Sequence, residues 1–440
     1  MNKMFPKKVR KIMKRLLRHG YEAYVIGGAI RDSFMFEKPH DYDIFTNATG
    51  EQILKLFPKG VVLGGEERQE KILTVIVKGI EVSQYRSSGD RTVVGNTLEG
   101  HLKTCDFTIN ALYANVNGQV GDKHNGIRDL QEKRLVCVGK AKDRINEDKL
   151  RILRAIRFAI RYNMTLNLDL HDEVIEADLS SLPVERIREE LLKIMKYKGS
   201  MSFMLSYGIL QKIIPEVKTL FIPGGEHHNE TVINHVSYAF DNACNITDNP
   251  ILKFAIFMHD IGKGDVAELK DGKTTFYNHE NVGVEIVDKI MTRLKFSTNE
   301  KQFVKFLVKS HMYSFKSEPG KKSYIKFFSK MESCNVTIED YVMLIYCDHQ
   351  GNLSKPRIKF GDFISGNNIH KKYYELKHGK EPFRISDLEI NGNDVINEGV
   401  TPGPRVGKIL NLLFEYVMEG ELENSRPSLM KKLKEVKHTK

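Results

Sequence analysis

The sequence predicts an α+β protein: a head built on a mixed sheet, then a body made only of helices. Two observations predict it. Short β-rich runs and turn signals fill residues 21–140. From Asn146 onward, long segments with 3.6-residue apolar periodicity take over. Breakers such as Pro183, Pro215, Pro223-Gly224-Gly225 and Pro402-Gly403-Pro404 separate those segments. The 440 residues are 41% hydrophobic and 28% charged, a balance that leaves ample core for several domains.

Taken in order, Val9, Ile12, Met13, Leu16 and Leu17 keep helical spacing where eight of the first 20 residues are Lys or Arg. An amphipathic first helix of the fold is expected there, not a cleaved basic leader. Tyr24-Val25-Ile26 and Ile44-Phe45 are short strands. Ile72 to Val77 and Ile80 to Tyr85 form a hairpin around Lys78-Gly79. Helices are expected over 147–162, 184–196, 231–246, 251–259, 279–294, 299–313, 338–348 and 404–419. The last fifteen residues are Lys-rich and expected to fray. The expected segments are a head over 1–140, a helical neck over 141–195, a helical body over 196–380 and a C-terminal helical segment with a basic tail over 381–440.

Several classes fall away. No apolar run approaches the ~18 residues of a membrane span. The five cysteines, Cys105, Cys137, Cys244, Cys334 and Cys347, include no C-x-x-C pair, which fits reduced thiols and a cytoplasmic setting. Lys plus Arg number 68 against 57 Asp plus Glu, a formal +11. That surplus favours an anionic partner, nucleic acid first. Eight Lys/Arg against three acids fall in 140–161.

In the head, Gly27-Gly28-Ala29-Ile30-Arg31-Asp32 follows a strand and opens a helix. Glycines at such a turn let backbone amides approach a phosphate, and Arg31 can reach the same anion. Asp41-Tyr42-Asp43 comes next. Its carboxylates share a strand face and repel each other unless a cation lies between them. Oxygen ligands of this kind suit Mg²⁺ beside substrate phosphates. D-x-D alone is more often a solvated strand end; the phosphate turn just upstream makes the pair a nucleotide–metal site.

These motifs resemble the head of the polymerase-β-type nucleotidyltransferases, and more closely the class II group of tRNA CCA-adding enzymes and bacterial poly(A) polymerases. Three further stretches match. Cys105-Asp106-Phe107-Thr108-Ile109-Asn110-Ala111-Leu112 is similar to that family's R-R-D-F-T-I-N-A-L. Gly126-Ile127-Arg128-Asp129-Leu130 is similar to its G-x-x-D-L. Glu147-Asp148-Lys149-Leu150-Arg151-Ile152-Leu153-Arg154-Ala155-Ile156-Arg157-Phe158 is similar to its E-D-x-x-R-x-x-R-A-x-R-F. The likeness implies nucleotidyl transfer from CTP and ATP to the 3′ end of tRNA. Asp41 and Asp43 then hold Mg²⁺, and Gly27, Gly28, Arg31, Asp106 and Asn110 serve the nucleotide. Asp148, Arg151 and Arg154, three apart on one expected helix, share a face, and an i,i+3 ion pair is the plain alternative. The resemblance implies that Asp148 and Arg151 choose the base by hydrogen bonds, with Arg154 close by. Arg157 and Arg161 extend the basic helix, and Glu81 is a candidate third carboxylate.

Two departures stand out. Cys105 occupies the place of a family arginine that contacts the nucleotide, and Lys103 is expected on another face. Only 19 residues, Ser87 to Cys105, separate Arg86 from Asp106, which shortens the loop that the family associates with the switch from CTP to ATP. A CC-only product is one alternative, and poly(A) synthesis on general RNA ends is another. A third is an RNA-end phosphohydrolase with a weakened polymerase head.

In the body, His259-Asp260-Ile261-Gly262-Lys263 ends an apolar helix. His235 lies upstream, and His279, His311 and Asp348 fall on three later helices. Imidazoles with carboxylates suit a divalent metal, either a transition metal or Mg²⁺. The order is similar to the H … HD … D of the HD phosphohydrolases, with His279 and His311 matching the extra histidines of their fuller sites. That likeness implies hydrolysis of 2′,3′-cyclic or terminal RNA phosphates. His227 and His228 are expected in a polar loop. Ile390 to Asp394 and Thr401 to Gly407 resemble the family's C-terminal segment. The partners expected are a tRNA 3′ end and nucleoside triphosphates, with no membrane, and tRNA binding is expected to be salt-sensitive.

Overall fold

Lys78 and Gly79 form the expected hairpin turn, both with positive φ (53° and 73°), the geometry that two-residue hairpins favour. The computed structural model describes residues 4–39, 41–63, 74–87, 95–225, 228–270, 272–313, 321–379 and 382–437. Ile72 and His227 therefore lie outside the described residues. The chain divides into two units, Met1–Ile213 and Ile214–Lys440.

The first unit holds a seven-stranded mixed sheet. Its strands are β1 (Tyr24–Ile26), β2 (Ile44–Thr46), β3 (Val61–Val62), β4 (Thr74–Val77), β5 (Ile80–Gln84), β6 (Tyr113–Ala114) and β7 (Val120–Gly121), in the order β3-β4-β5-β2-β1-β6-β7. β2 and β5 run parallel; the other pairs are antiparallel. Ile44 pairs with Val82, so the residues just before them, Asp43 and Glu81, are neighbours at the start of the two strands. Val25, Ile44 and Val82 are fully buried.

Helix α1 (Lys7–Arg18) buries Val9, Ile12, Met13 and Leu16. Leu17, expected on the same stripe, turns outward at 42% exposure, because it stands about 100° around the helix from Leu16. α2 (Gly28–Phe34), α3 (Gly50–Leu56), α4 (Leu98–Leu102) and α5 (Gly126–Gln131) complete the head. The helix expected over 147–162 is two, α6 (Ala141–Glu147) and α7 (Leu150–Tyr162). Asp148 is extended (φ −152°, ψ 101°), and its carboxylate accepts the Leu150 amide at 3.1 Å. An aspartate that bonds its own backbone competes with the helix and ends it. Asp148, Arg151 and Arg154 therefore do not share one helix. β8 (Arg134–Leu135) pairs parallel with β9 (Thr165–Leu166). α8 (Leu168–Ile175), α9 (Val184–Ile194), α10 (Ser200–Ser206) and α11 (Ile209–Ile213) follow.

Among the described residues the second unit is helical apart from an isolated bridge between Pro223 and Thr231 and one hairpin, β10 (Glu268–Lys270) with β11 (Lys273–Thr275). Its helices are α12 (Val232–Ile246), α13 (Pro250–Met258), α14 (Lys263–Val266), α15 (His279–Arg293), α16 (Thr298–Ser310), α17 (Lys321–Ser333) and α18 (Ile338–Gly351). They continue with α19 (Phe360–Gly366), α20 (Asn368–Lys377), α21 (Gly392–Asn397), α22 (Pro404–Met418) and α23 (Arg426–Val436). α13 is buried from Leu252 to Met258, as an apolar helix must be; α12, α16 and α18 pack against it. α18 closes on α12 at Gly351, where a Cβ would stand 2.8 Å from the His235 carbonyl oxygen. No helix among the described residues is long and apolar enough to cross a membrane.

The fraying expected of the last fifteen residues is not found over 426–436. α23 buries Leu429, Leu433 and Val436, spaced to form one apolar stripe among the lysines. Leu433→Ala should cost the unit about 2–4 kcal/mol in urea unfolding. Lys431→Ala, on the exposed side, should stay within about 0.5 kcal/mol.

Candidate active sites

A cavity of about 600 Å³ in the first unit is lined by Gly27, Gly28, Arg31, Asp41, Asp43, Asp106, Asn110, Asp148, Arg151 and Arg154. The glycines, Arg31, the Asp41–Asp43 pair, Asp106, Asn110 and the neck residues thus meet in one cleft; Glu81 is not in its lining. Gly27 has φ 84°, and a Cβ there would lie 3.3 Å from the Asn110 carbonyl oxygen, so the turn requires glycine. Its amide donates to the Leu112 carbonyl at 2.8 Å. That bond fastens the turn to the 105–112 motif and removes the Gly27 donor, so the amides without intrahelical partners begin at Gly28.

Asp43 is half-buried at the start of β2. Burial first, then the Glu81 and Asp41 carboxylates, push its carboxyl up to about 6, with Arg86 pulling the other way. Three acids crowd here without enough positive charge, which fits a divalent cation held by Asp41 and Asp43.

A chain of bonds joins the three head motifs. Asp106 is buried and accepts Arg154 at 2.6 Å, Asn110 Nδ2 at 2.8 Å and the Phe107 amide at 2.8 Å. Burial opposes its charge, but Arg154 and Asn110 outweigh burial and hold the carboxyl below its usual value. Asn110 Oδ1 accepts from Arg31, whose guanidinium also donates to Asp32 at 2.7 Å. Tyr162 donates to the same Asp32 oxygen at 2.8 Å. The guanidinium of Arg31 lies 5.0 Å over Phe158 and 4.9 Å over Tyr162.

The neck presents its pair beside this chain. Asp148 accepts Arg186 at 2.8 Å. Arg151 donates to Glu147 and the Arg144 carbonyl at 2.8 and 2.7 Å, and to the Thr104 carbonyl at 3.1 Å. Arg157 is spent on buried Glu190 at 2.8 Å and Arg161 on Glu37 at 2.8 Å. Cys105 lines the cleft; burial, then Asp106, pushes its thiol up to about 12, so it is uncharged. Lys103 instead pairs with exposed Glu99 at 3.0 Å. Sequence reasoning missed Phe45 and His101, which also line the cleft; neither stands in a charged or glycine-rich pattern.

The second unit gathers the body residues. His235, His259 and Asp348 form one group whose ligand atoms lie within 4.8 Å of each other, and Asp260, His279 and His311 form another. His235 Nε2 stands 3.0 Å from Asp348 Oδ1 and 3.2 Å from His259 Nε2. His279 and His311 place Nε2 at 3.3 and 3.4 Å from Asp260 Oδ1. Asp260 Oδ2 faces the first group, 3.3 Å from His259 and 3.5 Å from His235, so one carboxylate spans both. Gly262 lets this corner close: a Cβ there would lie 2.2 Å from the His279 carbonyl oxygen.

The imidazoles are set for metal. His259, His279 and His311 place Nδ1 at 2.7 Å from the carbonyls of Ile256, Phe276 and Val308. With the proton on Nδ1, Nε2 turns a lone pair inward. Asp260 Oδ2 is buried, and Lys263 Nζ is its one close cationic contact at 2.6 Å among the described residues. Burial alone would lower His259, yet Asp260 and Asp348 push it up to about 10, a negative potential that suits a cation. Glu230, missed in the sequence, is buried beside His235 Nδ1 at 3.6 Å and accepts from His228 at 2.7 Å. His228 thus lies in a loop as expected, half-buried beside the site. Lys263 Nζ lies 2.6 Å from Asp260, and Lys270, Lys273 and Lys355 line the 840 Å³ cavity above.

Comparison with known proteins agrees with this layout. Residues 23–136 match the Poly A polymerase head domain, 232–338 the HD domain and 361–433 the tRNA nucleotidyltransferase domain 2. The chain is 27% identical over 445 aligned residues to a CCA-adding enzyme of Lactococcus lactis subsp. lactis, covering 97% of this chain and 96% of that protein. It is 31% identical over 274 residues to Poly(A) polymerase I of Salmonella typhi, covering 56% and 58%. Among solved structures, the fold is similar to the Bacillus stearothermophilus CCA-adding enzyme in complex with CTP, at TM-score 0.68 and 21% identity over 100% of this chain and 99% of that one. The Thermotoga maritima CCA-adding enzyme complexed with tRNA follows at TM-score 0.52 and 19% identity, over 98% and 96%. The order of these domains and the full-length likeness make this chain similar to the class II CCA-adding enzymes and, over about half of its length, to bacterial poly(A) polymerases.

Proposed function

We propose that this chain is a template-independent tRNA nucleotidyltransferase that adds C and then A from CTP and ATP to the tRNA 3′ end, releasing pyrophosphate. The observation that carries this is the single cleft that holds the Gly27 turn, the Asp41–Asp43 carboxylates and the Asp148–Arg151 pair. In functional terms the head is 1–140, the selecting neck 141–195, the HD body 196–380 and the C-terminal segment 381–440.

Asp41 and Asp43 would hold Mg²⁺, which when bound would supply the charge that activates the RNA 3′-hydroxyl and steadies the leaving pyrophosphate. Gly28 and Arg31 orient the triphosphate. The other residues hold geometry, which is most of catalysis in phosphoryl-type transfer. Asp148 and Arg151 are each pinned by neighbours, so they offer a fixed edge of acceptor and donor to the base. Poly(A) synthesis is the second reading, favoured by the identity to Poly(A) polymerase I; the short 87–105 segment favours a CC-only product.

The HD body is assigned a phosphohydrolase role on 2′,3′-cyclic or terminal RNA phosphates. Its six ligands suit one or two divalent ions, transition metal or Mg²⁺, and its lysines suit an anionic substrate.

The deciding experiment incubates the protein with tRNA lacking CCA, Mg²⁺ and single labelled nucleotides. Ordered addition of C, C and A is expected; no incorporation would sink the polymerase reading, and a long A tract would replace it with poly(A) synthesis. Asp43→Ala should abolish addition and leave phosphate release intact, while His259→Ala should do the reverse.

Asp43 also carries a stability signature. Its folded pKa, about 6, lies above the ordinary 3.8, so its charge weakens the fold near pH 7 and that loss fades as pH falls through 6. In EDTA, Asp43→Asn should therefore gain on the order of 1 kcal/mol at pH 7.5. The gain should shrink by pH 5, as read from urea unfolding at both pH values.

A further inference from the structure

His101 stands outside the bonded chain of the head, yet it lines the same cleft and is only 4% exposed. Its ring packs on Phe45 with centroids 4.2 Å apart. Nδ1 accepts the Arg86 amide at 3.2 Å, which puts the proton of the neutral ring on Nε2. Burial, then Arg86, pushes the imidazole down to about 4, so the neutral form prevails at neutral pH.

The Nε2–H has no partner among the described residues, and it is not one of the sealed polar atoms. The main guanidiniums of the cleft differ: Arg31, Arg151, Arg154 and Arg157 are engaged by carboxylates. His101 thus brings a buried, rigid donor with spare capacity. Its position is informative. On one side is Phe45, two residues beyond Asp43 on the same strand face. On the other is the 101–105 segment, whose Thr104 carbonyl holds Arg151. A nucleotide that reaches from Asp43 to the Asp148–Arg151 pair crosses the cleft that His101 also lines.

We propose that His101 contacts the incoming nucleotide, its Nε2–H donating to a ribose hydroxyl oxygen. This deepens the nucleotidyltransferase reading and rests on it. The test uses two amide isosteres in the full chain. Asparagine can place an acceptor near the Nδ1 position, and glutamine a donor near the Nε2 position.

His101→Asn should weaken CTP binding by calorimetry about tenfold, in line with one lost hydrogen bond in a buried site, with the tRNA KM unchanged. His101→Gln should recover most of it. In wild type, 2′-deoxy-CTP or 3′-deoxy-CTP should bind about tenfold more weakly than CTP, and that gap should close in His101→Asn. Equal CTP binding by His101→Asn and wild type would overturn the proposal. So would equal losses in both variants, or a change confined to the tRNA KM. The wild-type deoxy comparison needs no variant to fold: no gap with either analogue also refutes the contact. CTP binding is read apart from incorporation, so a chain that binds CTP through His101 but adds nothing to tRNA would sink the functional reading alone.

Discussion

Asp106 sits charged in the interior of the head with an arginine, an asparagine and a backbone amide around it. A buried carboxylate is tolerated only when its lone pairs are met. Meeting them fixes the cleft. Arg154 draws helix α7 against the head, and Asn110 holds Arg31, which in turn holds Asp32. Turn, motif and neck are therefore held by one continuous network, and each is placed by its neighbours' need for a partner. Removing one partner from such a network strands a buried charge, which costs more than the pair itself contributes. Asn110 and Arg154 act in this way first as positioning groups, whatever further contact a nucleotide makes with them.

The body meets the same constraint with a different solution. Asp260 is a buried carboxylate and Asp348 a half-buried one, and their partners are imidazoles that carry no fixed charge. A lysine, Lys263, supplies one permanent cation; the rest of the negative potential falls on the histidines. Backbone carbonyls fix the outer nitrogen of three rings, so each lone pair points inward. The head thus uses arginines to make a rigid charged frame, and the body uses imidazoles to make a frame whose negative potential suits a cation.

Much of this was legible in sequence because the chemistry lies in short, ordered motifs. Gly27-Gly28 with Asp41 and Asp43, and His259-Asp260 with His235 and Asp348, specify residue types that few other tasks require together. The first strands and the Lys78-Gly79 turn were also legible, since period-two apolar runs and a turn signal leave little choice. Three features were not. Asp148 interrupts its helix because its side chain captures a backbone amide, a local competition that periodicity cannot show. Helix α23 is ordered by three apolar residues among lysines, which composition averages away. Phe45 and His101 reach the cleft through tertiary packing, and neither belongs to a charged or glycine pattern.

The charge surplus takes on a sharper meaning in this light. The cluster of cations over 140–161 suggested a surface for RNA phosphates. Arg144, Arg151, Arg154, Arg157 and Arg161 are instead bound to carboxylates of the fold, so most of their charge is cancelled at short range before RNA arrives. By contrast, Lys7, Lys8, Lys11, Lys14 and Arg18 line the solvent side of α1, whose opposite face is buried. Helix α1 lets both roles coexist, because its apolar stripe faces the head while its basic stripe stays free. Long-range attraction for a polyanion depends on charge that is exposed and uncompensated. The neck arginines therefore shape the cleft, and exposed lysines such as those of α1 carry the field that an approaching polyanion meets.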